Sequence, residues 1–320
     1  MKCKQFKAFI KTIHRSRMRI LVAVTCALAL ITIPPRIAYS FPDIQIGEPP
    51  IRPISIPIPD PQPYPINTTQ APAPNTTARS IMVVNVPSKA IIYMKNPNQR
   101  LYPASTTKMV TAMVAYDNYE LSKVASISAV FRQGQIMELY QDENITIENL
   151  IKGTLIYSAN DAAEALASLH PKGRDYFIAQ MNQTVRNLGL IDTHFENPTG
   201  LDHVNHYSTV HDLALIGAQF VQNERLLAIT STQSETVADI TGQIVHQLTT
   251  TNELLGTIEG MKGLKTGWTE YAGECLVTFT ERDGKQIITA VLGSQDRFGE
   301  TQQLIDWVFQ NHQWQDISLD

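Results

Sequence analysis

Apolar positions recur along this chain with two periods, and the two kinds of segment occupy different regions. Strand-like alternation occurs in three pairs of segments, 80–86 with 90–94, 236–240 with 243–248, and 274–280 with 285–292. Asp283-Gly284 joins the last pair and favours a hairpin turn. Helical spacing fills 105–119, 147–155, 161–169, 174–188 and 211–222, and returns in 299–310. Strands at both ends around a helical middle predict an α+β fold, with one antiparallel sheet built from both chain ends and flanked by helices.

The first 40 residues differ from the rest in charge and hydropathy. They carry eight of the 26 Lys and Arg and no Asp or Glu, and an apolar run over 20–33 leads to Ala38-Tyr39-Ser40. This order predicts an export signal in residues 1–40. An uncleaved membrane anchor is the alternative, but a helix over the apolar run would measure about 21 Å against roughly 30 Å of hydrocarbon. Pro34-Pro35 then blocks its continuation, so cleavage is favoured.

A proline-rich segment follows the predicted signal. Eleven of the 18 prolines lie between residues 42 and 75, a density that favours extended polyproline II over helix or central strand. We therefore predict a linker over 41–78 and a folded domain over 79–320.

Charge and cysteine content narrow the function. Without residues 1–40 the chain keeps 18 of its 26 basic side chains and all 30 acidic ones, a net charge of −12. This balance argues against a nucleic-acid partner, which would need a basic face. Cys275 is the one cysteine beyond the predicted signal, so the exported domain has no intrachain disulfide.

Ser105 and Lys108 form the first candidate for chemistry. Their spacing of three places a hydroxyl and an amine on one face of a helix. Serine needs a base within hydrogen-bond reach to act as a nucleophile, and a lysine serves if burial or a nearby cation holds it neutral. The Ser-x-x-Lys pattern alone is common and is typical of an ordinary helix start with a surface lysine.

Two further motifs follow in order at domain-scale spacing. Ser158-Ala159-Asn160 lies between two helical segments, and Lys265-Thr266-Gly267-Trp268 has the glycine pattern of a strand that accepts a ligand against its backbone. The series Ser-x-x-Lys, Ser-x-Asn and Lys-Thr-Gly is the mark of penicillin-recognising serine enzymes.

The chain resembles the low-molecular-mass penicillin-binding proteins, the D-alanyl-D-alanine carboxypeptidases, from about Arg79 to Trp307. Besides the three motifs, the family pattern recurs in Leu188-Gly189-Leu190, Asn197-Pro198-Thr199-Gly200-Leu201, His206-Tyr207-Ser208-Thr209 and Val291-Leu292-Gly293. Ala159 stands where the family usually has glycine, which would make that loop slightly less permissive.

The resemblance implies a role for each motif residue. Ser105 would attack the carbonyl between two terminal D-alanines and Lys108 would accept its proton. Ser158 and Lys265 would pass protons to the leaving amine, and Asn160 would orient Lys108. Substrate binding would fall to the set Lys265, Thr266, Gly267, Trp268 and Arg297. Within this set the backbone N–H of Trp268, with that of Ser105, would form the oxyanion hole, and Arg297 would attract the terminal carboxylate.

The implied partners are peptidoglycan stem peptides ending in D-Ala-D-Ala, with β-lactams as covalent inhibitors and no metal or cofactor. The implied location is the extracytoplasmic cell-wall space, with an N-terminal membrane tether as the alternative to release.

Other functions stay open at this point. His194, His203, His206 and His211, with Asp202 and Asp212, invite a zinc site, but they lack the His-Glu-x-x-His helix pair. A serine β-lactamase would share the three motifs. Class A β-lactamases deacylate with the glutamate of a Glu-x-x-Leu-Asn pattern, and Glu196-Asn197-Pro198 does not match that pattern. An endopeptidase that cuts peptide cross-links is a variant of the carboxypeptidase hypothesis. A catalytically silent wall-binding protein is the most remote, because it would have no need of all the motif residues.

Overall fold

The computed structural model describes residues 62–316, together with Met18. The chain divides into two units, 1–58 and 59–320, and the fold below belongs to the second. The described strands are β1 (Tyr64–Asn67), β2 (Ser80–Asn85), β3 (Ile91–Lys95), β4 (Val124–Ser126), β5 (Asn144–Thr146), β6 (Ser234–Ala238), β7 (Val245–Thr249), β8 (Met261–Thr269), β9 (Gly273–Arg282), β10 (Lys285–Ser294) and β11 (His312–Gln315). The described helices are α1 (Lys108–Asn118), α2 (Ile147–Leu155), α3 (Asn160–Ser168), α4 (Arg174–Asn187), α5 (Val210–Phe220), α6 (Glu224–Thr230) and α7 (Arg297–Asn311).

Five antiparallel strands form the central sheet, in the order β3-β2-β10-β9-β8. Early and late strands of the chain are therefore neighbours, which confirms the predicted α+β fold and its sheet of both chain ends. All six residues of β2 are buried because helices cover both faces of the sheet.

The alternation of β2 distributes its side chains between two cores. Met82 and Val84 pack in the larger core, which includes residues of α5 such as Leu213. Ile81 and Val83 point to the opposite face and share the smaller core with residues of α7. β2 is thus packed on both faces. On one edge it pairs with β10, which pairs in turn with β9, and β9 pairs with β8.

The helical part stands beside the β8 edge of the sheet. Helices α1, α2, α3 and α4 contribute to the larger core, and seven of the eleven residues of α1 are buried. Thr146 and Thr209 cap α2 and α5 by accepting a hydrogen bond from a backbone N–H of the first turn. These caps fix where each helix begins.

The predicted boundary at residue 79 is wrong, because residues 62–78 already belong to the folded domain. β1 pairs with β11, with Tyr64 opposite Gln315, and the Trp307 indole N–H donates to the Ala71 carbonyl at 3.0 Å. The backbone N–H groups of Thr77 and Ala78 donate to the Glu300 carboxylate. Proline is compatible with this strand because β1 lies in a two-stranded ribbon, not in a central position.

The predicted hairpins and helices are present with boundary shifts of a few residues, whereas β1, β4, β5, β11 and α6 are additional. The predicted export signal and most of the predicted linker lie outside the described residues. Within residues 62–316 no helix is long and apolar enough to cross a membrane. Cys275 is buried as a free thiol.

Candidate active site

Ser105 and Lys108 meet where a short turn becomes a helix. A 3-10 turn over Ala104–Thr107 carries the serine, and Lys108 is the first residue of α1. Lys108 Nζ lies 2.7 Å from Ser105 Oγ, 2.6 Å from Asn160 Oδ1 and 2.8 Å from the Thr199 carbonyl oxygen. Three oxygens from three parts of the chain therefore surround one amine.

The environment of Lys108 disfavours its charged form. The side chain is fully buried, and burial lowers the pKa of Lys108 well below its ordinary value. The positive charge of Lys265 acts in the same direction, while Asp161 and Glu164 oppose it more weakly. A neutral amine has two N–H groups, which can donate to the Asn160 and Thr199 oxygens. Its lone pair can then accept a hydrogen bond from the Ser105 hydroxyl.

The second motif leads into α3, whose first residue is Asn160. Ser158 is buried with φ +64°, an uncommon conformation for a residue with a side chain. Asn160 donates from Nδ2 to the Gln133 carbonyl at 2.9 Å and from its backbone N–H to the Gln135 carbonyl at 2.7 Å. Ala159 has φ −63°, so the chain needs no glycine there, contrary to the restriction expected from the sequence.

The third motif lies on β8, at the edge of the central sheet. Lys265 is buried, its Nζ donates to the Thr266 carbonyl at 3.0 Å, and burial followed by the charge of Arg297 lowers the pKa of Lys265 to about 7. Gly267 lies against the Ser105 turn so closely that an added Cβ would be 2.9 Å from Ser105 N. The strand and the turn can approach each other this way only because the residue has no side chain.

Arg297 joins the site from a separate element. It is the first residue of α7, and its Nη1 donates to the Gly267 carbonyl at 2.8 Å. Its backbone N–H donates to Glu274 Oε2 at 2.8 Å. Within the described part of the chain Arg297 Nε is buried without a hydrogen-bond partner, so the guanidinium retains donor capacity beside the cavity.

These elements enclose a cavity of about 500 Å³ between the sheet edge and the helical part. Seven of the nine sequence-predicted site residues line it, namely Ser105, Ser158, Asn160, Thr266, Gly267, Trp268 and Arg297. The other two, Lys108 and Lys265, lie buried behind this lining. The structure therefore brings all nine to one place.

A match to one family model identifies the family of this chain. The family model described as D-alanyl-D-alanine carboxypeptidase, peptidase family S11, matches residues 67–296. The chain belongs to this family.

The family's curated members align over the same region. D-alanyl-D-alanine carboxypeptidase DacF of Bacillus subtilis is 29% identical over 246 residues, covering 74% of this chain and 63% of its own length. DacA of Escherichia coli strain K12 is 30% identical over 263 residues, covering 76% of this chain and 64% of its own length. The chain thus spans a little under two thirds of the length of these relatives.

Two solved structures share this fold over the whole of their own chains. The Streptomyces K15 DD-transpeptidase superimposes with a TM-score of 0.70 at 28% identity, covering 75% of this chain and 100% of its own. Penicillin-binding protein D2 of Listeria monocytogenes, solved in its ampicillin-bound form, gives a TM-score of 0.66 at 30% identity, covering 74% of this chain and 100% of its own.

The histidines considered for zinc make hydrogen bonds to other groups of the protein. His206 is buried and its ring bridges Thr107 and the backbone N–H of Glu196, and burial lowers the pKa of His206 to about 3. His194 pairs with Glu196 instead. Across residues 62–316 no group of three or more His, Cys, Asp and Glu side chains is placed to hold a metal ion.

Sequence reasoning missed the residues that support the motifs. The Thr199 carbonyl contacts Lys108, and Gly134 and Gln135 line the cavity beside Asn160. The Asn197-Pro198-Thr199-Gly200 motif was a signal for the first contact, since a glycine beside a site often marks close backbone approach. The loop that carries Gly134 has no periodic pattern from which its position could be predicted.

Proposed function

We propose that this protein is a serine-type D-alanyl-D-alanine carboxypeptidase, which removes the terminal D-Ala of peptidoglycan stem peptides through an acyl-enzyme. The observation that carries the proposal is the buried Lys108 amine, 2.7 Å from the Ser105 hydroxyl in the wall of a cavity. A base at hydrogen-bond distance, held neutral by burial, is what a serine nucleophile requires. Membership of the carboxypeptidase family supplies the reaction class.

Acylation follows from this geometry. Lys108 takes the Ser105 proton as Oγ bonds to the carbonyl carbon between the two D-alanines. The backbone N–H groups of Ser105 and Trp268 stabilise the resulting oxyanion, an effect worth several kcal/mol when donors are preorganised. The C–N bond then breaks, and the proton that Lys108 took passes through Ser158 and Lys265 to the leaving nitrogen, so that D-Ala departs with a free amine and Lys108 is neutral again.

Deacylation repeats these steps with a water molecule as the nucleophile. Lys108, neutral again, takes a proton from a water molecule whose oxygen attacks the ester carbonyl. The ester C–O bond breaks, Ser105 recovers its proton, and the shortened peptide leaves with a new carboxylate. Splitting one difficult amide hydrolysis into these two steps is the benefit of covalent catalysis.

Substrate recognition rests on positive charge beside the cavity. Lys265, Thr266 and Arg297 surround the position proposed for the terminal carboxylate of the peptide, and Thr266 and Arg297 line the cavity. A β-lactam carries a carboxylate and a strained amide, so the same residues would accept it and Ser105 would retain its acyl group. The ampicillin-bound Listeria relative supports this proposal.

Turnover of two substrates tests the proposed activity against its alternatives. We expect the purified protein to release D-Ala from diacetyl-Lys-D-Ala-D-Ala and to hydrolyse benzylpenicillin far more slowly. Faster β-lactam hydrolysis would instead favour a β-lactamase, and cleavage of cross-linked dimers without D-Ala release would favour an endopeptidase. Activity removed by a chelator, with no penicillin adduct, would favour a zinc enzyme.

We also propose export to the extracytoplasmic cell-wall space, based on the basic and apolar pattern of residues 1–40. Sequencing the mature N-terminus from fractionated cells tests it. A start at Phe41 is expected for a cleaved signal. An intact N-terminus in the membrane fraction would instead indicate a tether, and recovery of the full-length protein in the cytoplasm would contradict export.

A further inference from the structure

A loop outside the three motifs supports the second motif from the cavity side. The loop 127–143 connects β4 to β5, and its carbonyl groups at Gln133 and Gln135 accept both hydrogen bonds that Asn160 donates. Gly134 has φ +69°, and a Cβ at this position would be 2.5 Å from Asn160 Nδ2. The position of the loop therefore determines where the Asn160 amide lies, and Asn160 Oδ1 is one of the three oxygens around Lys108.

Two buried carboxylates hold this loop by its backbone. Asp161 accepts from the N–H groups of Met137 and Leu139, both at 3.0 Å. Glu143 accepts from the N–H of Tyr140 at 2.9 Å. Asp161 is 2% exposed and Glu143 is 3% exposed, so each negative charge needs a partner within the protein.

His246 completes the arrangement from β7, a strand that contributes no residue to the cavity lining. Its Nε2 lies 2.8 Å from Glu143 Oε1, and its Nδ1 lies 2.8 Å from the Met137 carbonyl oxygen. Both neighbours are acceptors, an arrangement that favours protons on both ring nitrogens and therefore the cationic ring. Burial by itself would lower the pKa of His246, but the hydrogen bond and charge of Glu143, the Met137 carbonyl and Asp161 outweigh it and raise that pKa.

We propose that His246 is a positioning residue, which acts with Glu143 and Asp161 as a charged clamp on the loop 127–143 and so fixes Asn160 against Lys108. The proposal rests on the proposed function, because its effect is on acylation of Ser105. The clamp does not touch the substrate. It reaches the reacting atoms in two steps, from the loop to Asn160 and from Asn160 to the Lys108 amine.

Loss of the clamp should affect the chemical step more than binding. Without His246, the Glu143 charge stays buried with one donor fewer and the Met137 carbonyl loses its partner, so the loop relaxes. Asn160 then holds Lys108 less well and proton transfer slows. The carboxylate-binding residues Lys265, Thr266 and Arg297 lie on β8 and α7, so substrate affinity should change little.

Benzylpenicillin acylation measured over a range of concentrations separates these two quantities. For His246→Gln we expect the limiting acylation rate to fall about tenfold, the size of one lost charge-assisted hydrogen bond, while the apparent Kd stays within about twofold. Glu143→Gln preserves shape and removes only the charge, so it carries the same test if His246→Gln does not fold. His194→Gln is the matched control, since it removes a half-exposed His–Glu contact and should leave both constants unchanged.

The same substitution in an Asn160→Ala background shows whether the effect passes through Asn160. We expect His246→Gln to change the acylation rate less than about twofold there, because the link to Lys108 is already absent. An unchanged rate in the single variant, or an equal tenfold fall in both backgrounds, would overturn the clamp. If the wild-type protein itself is not acylated, the proposed function fails first and the clamp fails with it.

Discussion

At the residue scale, the site depends on an amine whose charged form is disfavoured by burial. The spacing of Ser105 and Lys108 predicted that the two side chains share a helix face, but it could not predict the environment of the amine. Asn160 and Thr199 provide that environment from 52 and 91 residues further along the chain. Contacts of this range arise from tertiary structure, so the pKa of Lys108 could not be read from a local motif.

Replacing Lys265 tests how the charges of the site are coupled. Its positive charge lowers the pKa of Lys108, so Lys265→Gln should raise that pKa. Below its pKa Lys108 is protonated and cannot accept the Ser105 proton, so acylation is lost as the pH falls. The acid limb of the penicillin acylation profile should therefore move to higher pH, by about one unit for the loss of a nearby like charge.

The matched control lies on the same strand. Lys262 is half-exposed and pairs with Glu281 at 2.7 Å, so Lys262→Gln should leave the acid limb where it is in the wild type. A lower rate at every pH with no displacement of the limb in Lys265→Gln would mean that Lys265 affects only binding, and would contradict the coupling.

At the element scale, backbone approach shapes the site. Gly200 has φ +87°, and an added Cβ would lie 1.8 Å from the Ala104 carbonyl oxygen and 2.9 Å from Ser105 N. With Gly267 on the other side, two glycine-containing segments enclose the turn that carries the nucleophile. The turn itself includes Ala104 at φ +49°, a strained conformation that its neighbours must maintain.

Gly200→Ala should therefore damage the site as well as the fold. The new methyl group must displace the Ala104–Ser105 backbone, so we expect penicillin acylation to fall more than about tenfold, as displacement of a nucleophile implies. Gly189→Ala is the control, because Gly189 has φ +77° but open space around it. It should lower the free energy of unfolding by about 1 kcal/mol without affecting acylation. Equal acylation rates for the two variants would contradict this role of Gly200.

Element prediction succeeded where local pattern and tertiary structure agree. The hairpin through Asp283-Gly284 and the helix over Ile147–Leu155 are both present as predicted. β1 was missed because its pairing with β11 joins positions about 250 residues apart, and because Pro65 argues locally against a strand. The loop 127–143 was missed because side-chain charges fix it, and no period marks such contacts in a sequence.

At the scale of the whole molecule, the site lies between two differently built parts. The sheet edge provides Lys265 through Trp268, and the helical part provides Ser105, Lys108, Ser158 and Asn160. Arg297 comes from the helix that covers the other face of the sheet. The order of the three motifs in the sequence was sufficient to predict this meeting, because it matched a known family pattern. The supporting contacts of the cavity required the structure.

The central claim is that Ser105 is the nucleophile of an acyl-enzyme. Mass spectrometry of the intact protein after incubation with benzylpenicillin, followed by peptide mapping, tests it most directly. We predict one covalent penicilloyl group on the wild-type protein, located on Ser105, and none on Ser105→Ala. Absence of an adduct on the wild type, or an adduct that persists in Ser105→Ala, would contradict the account.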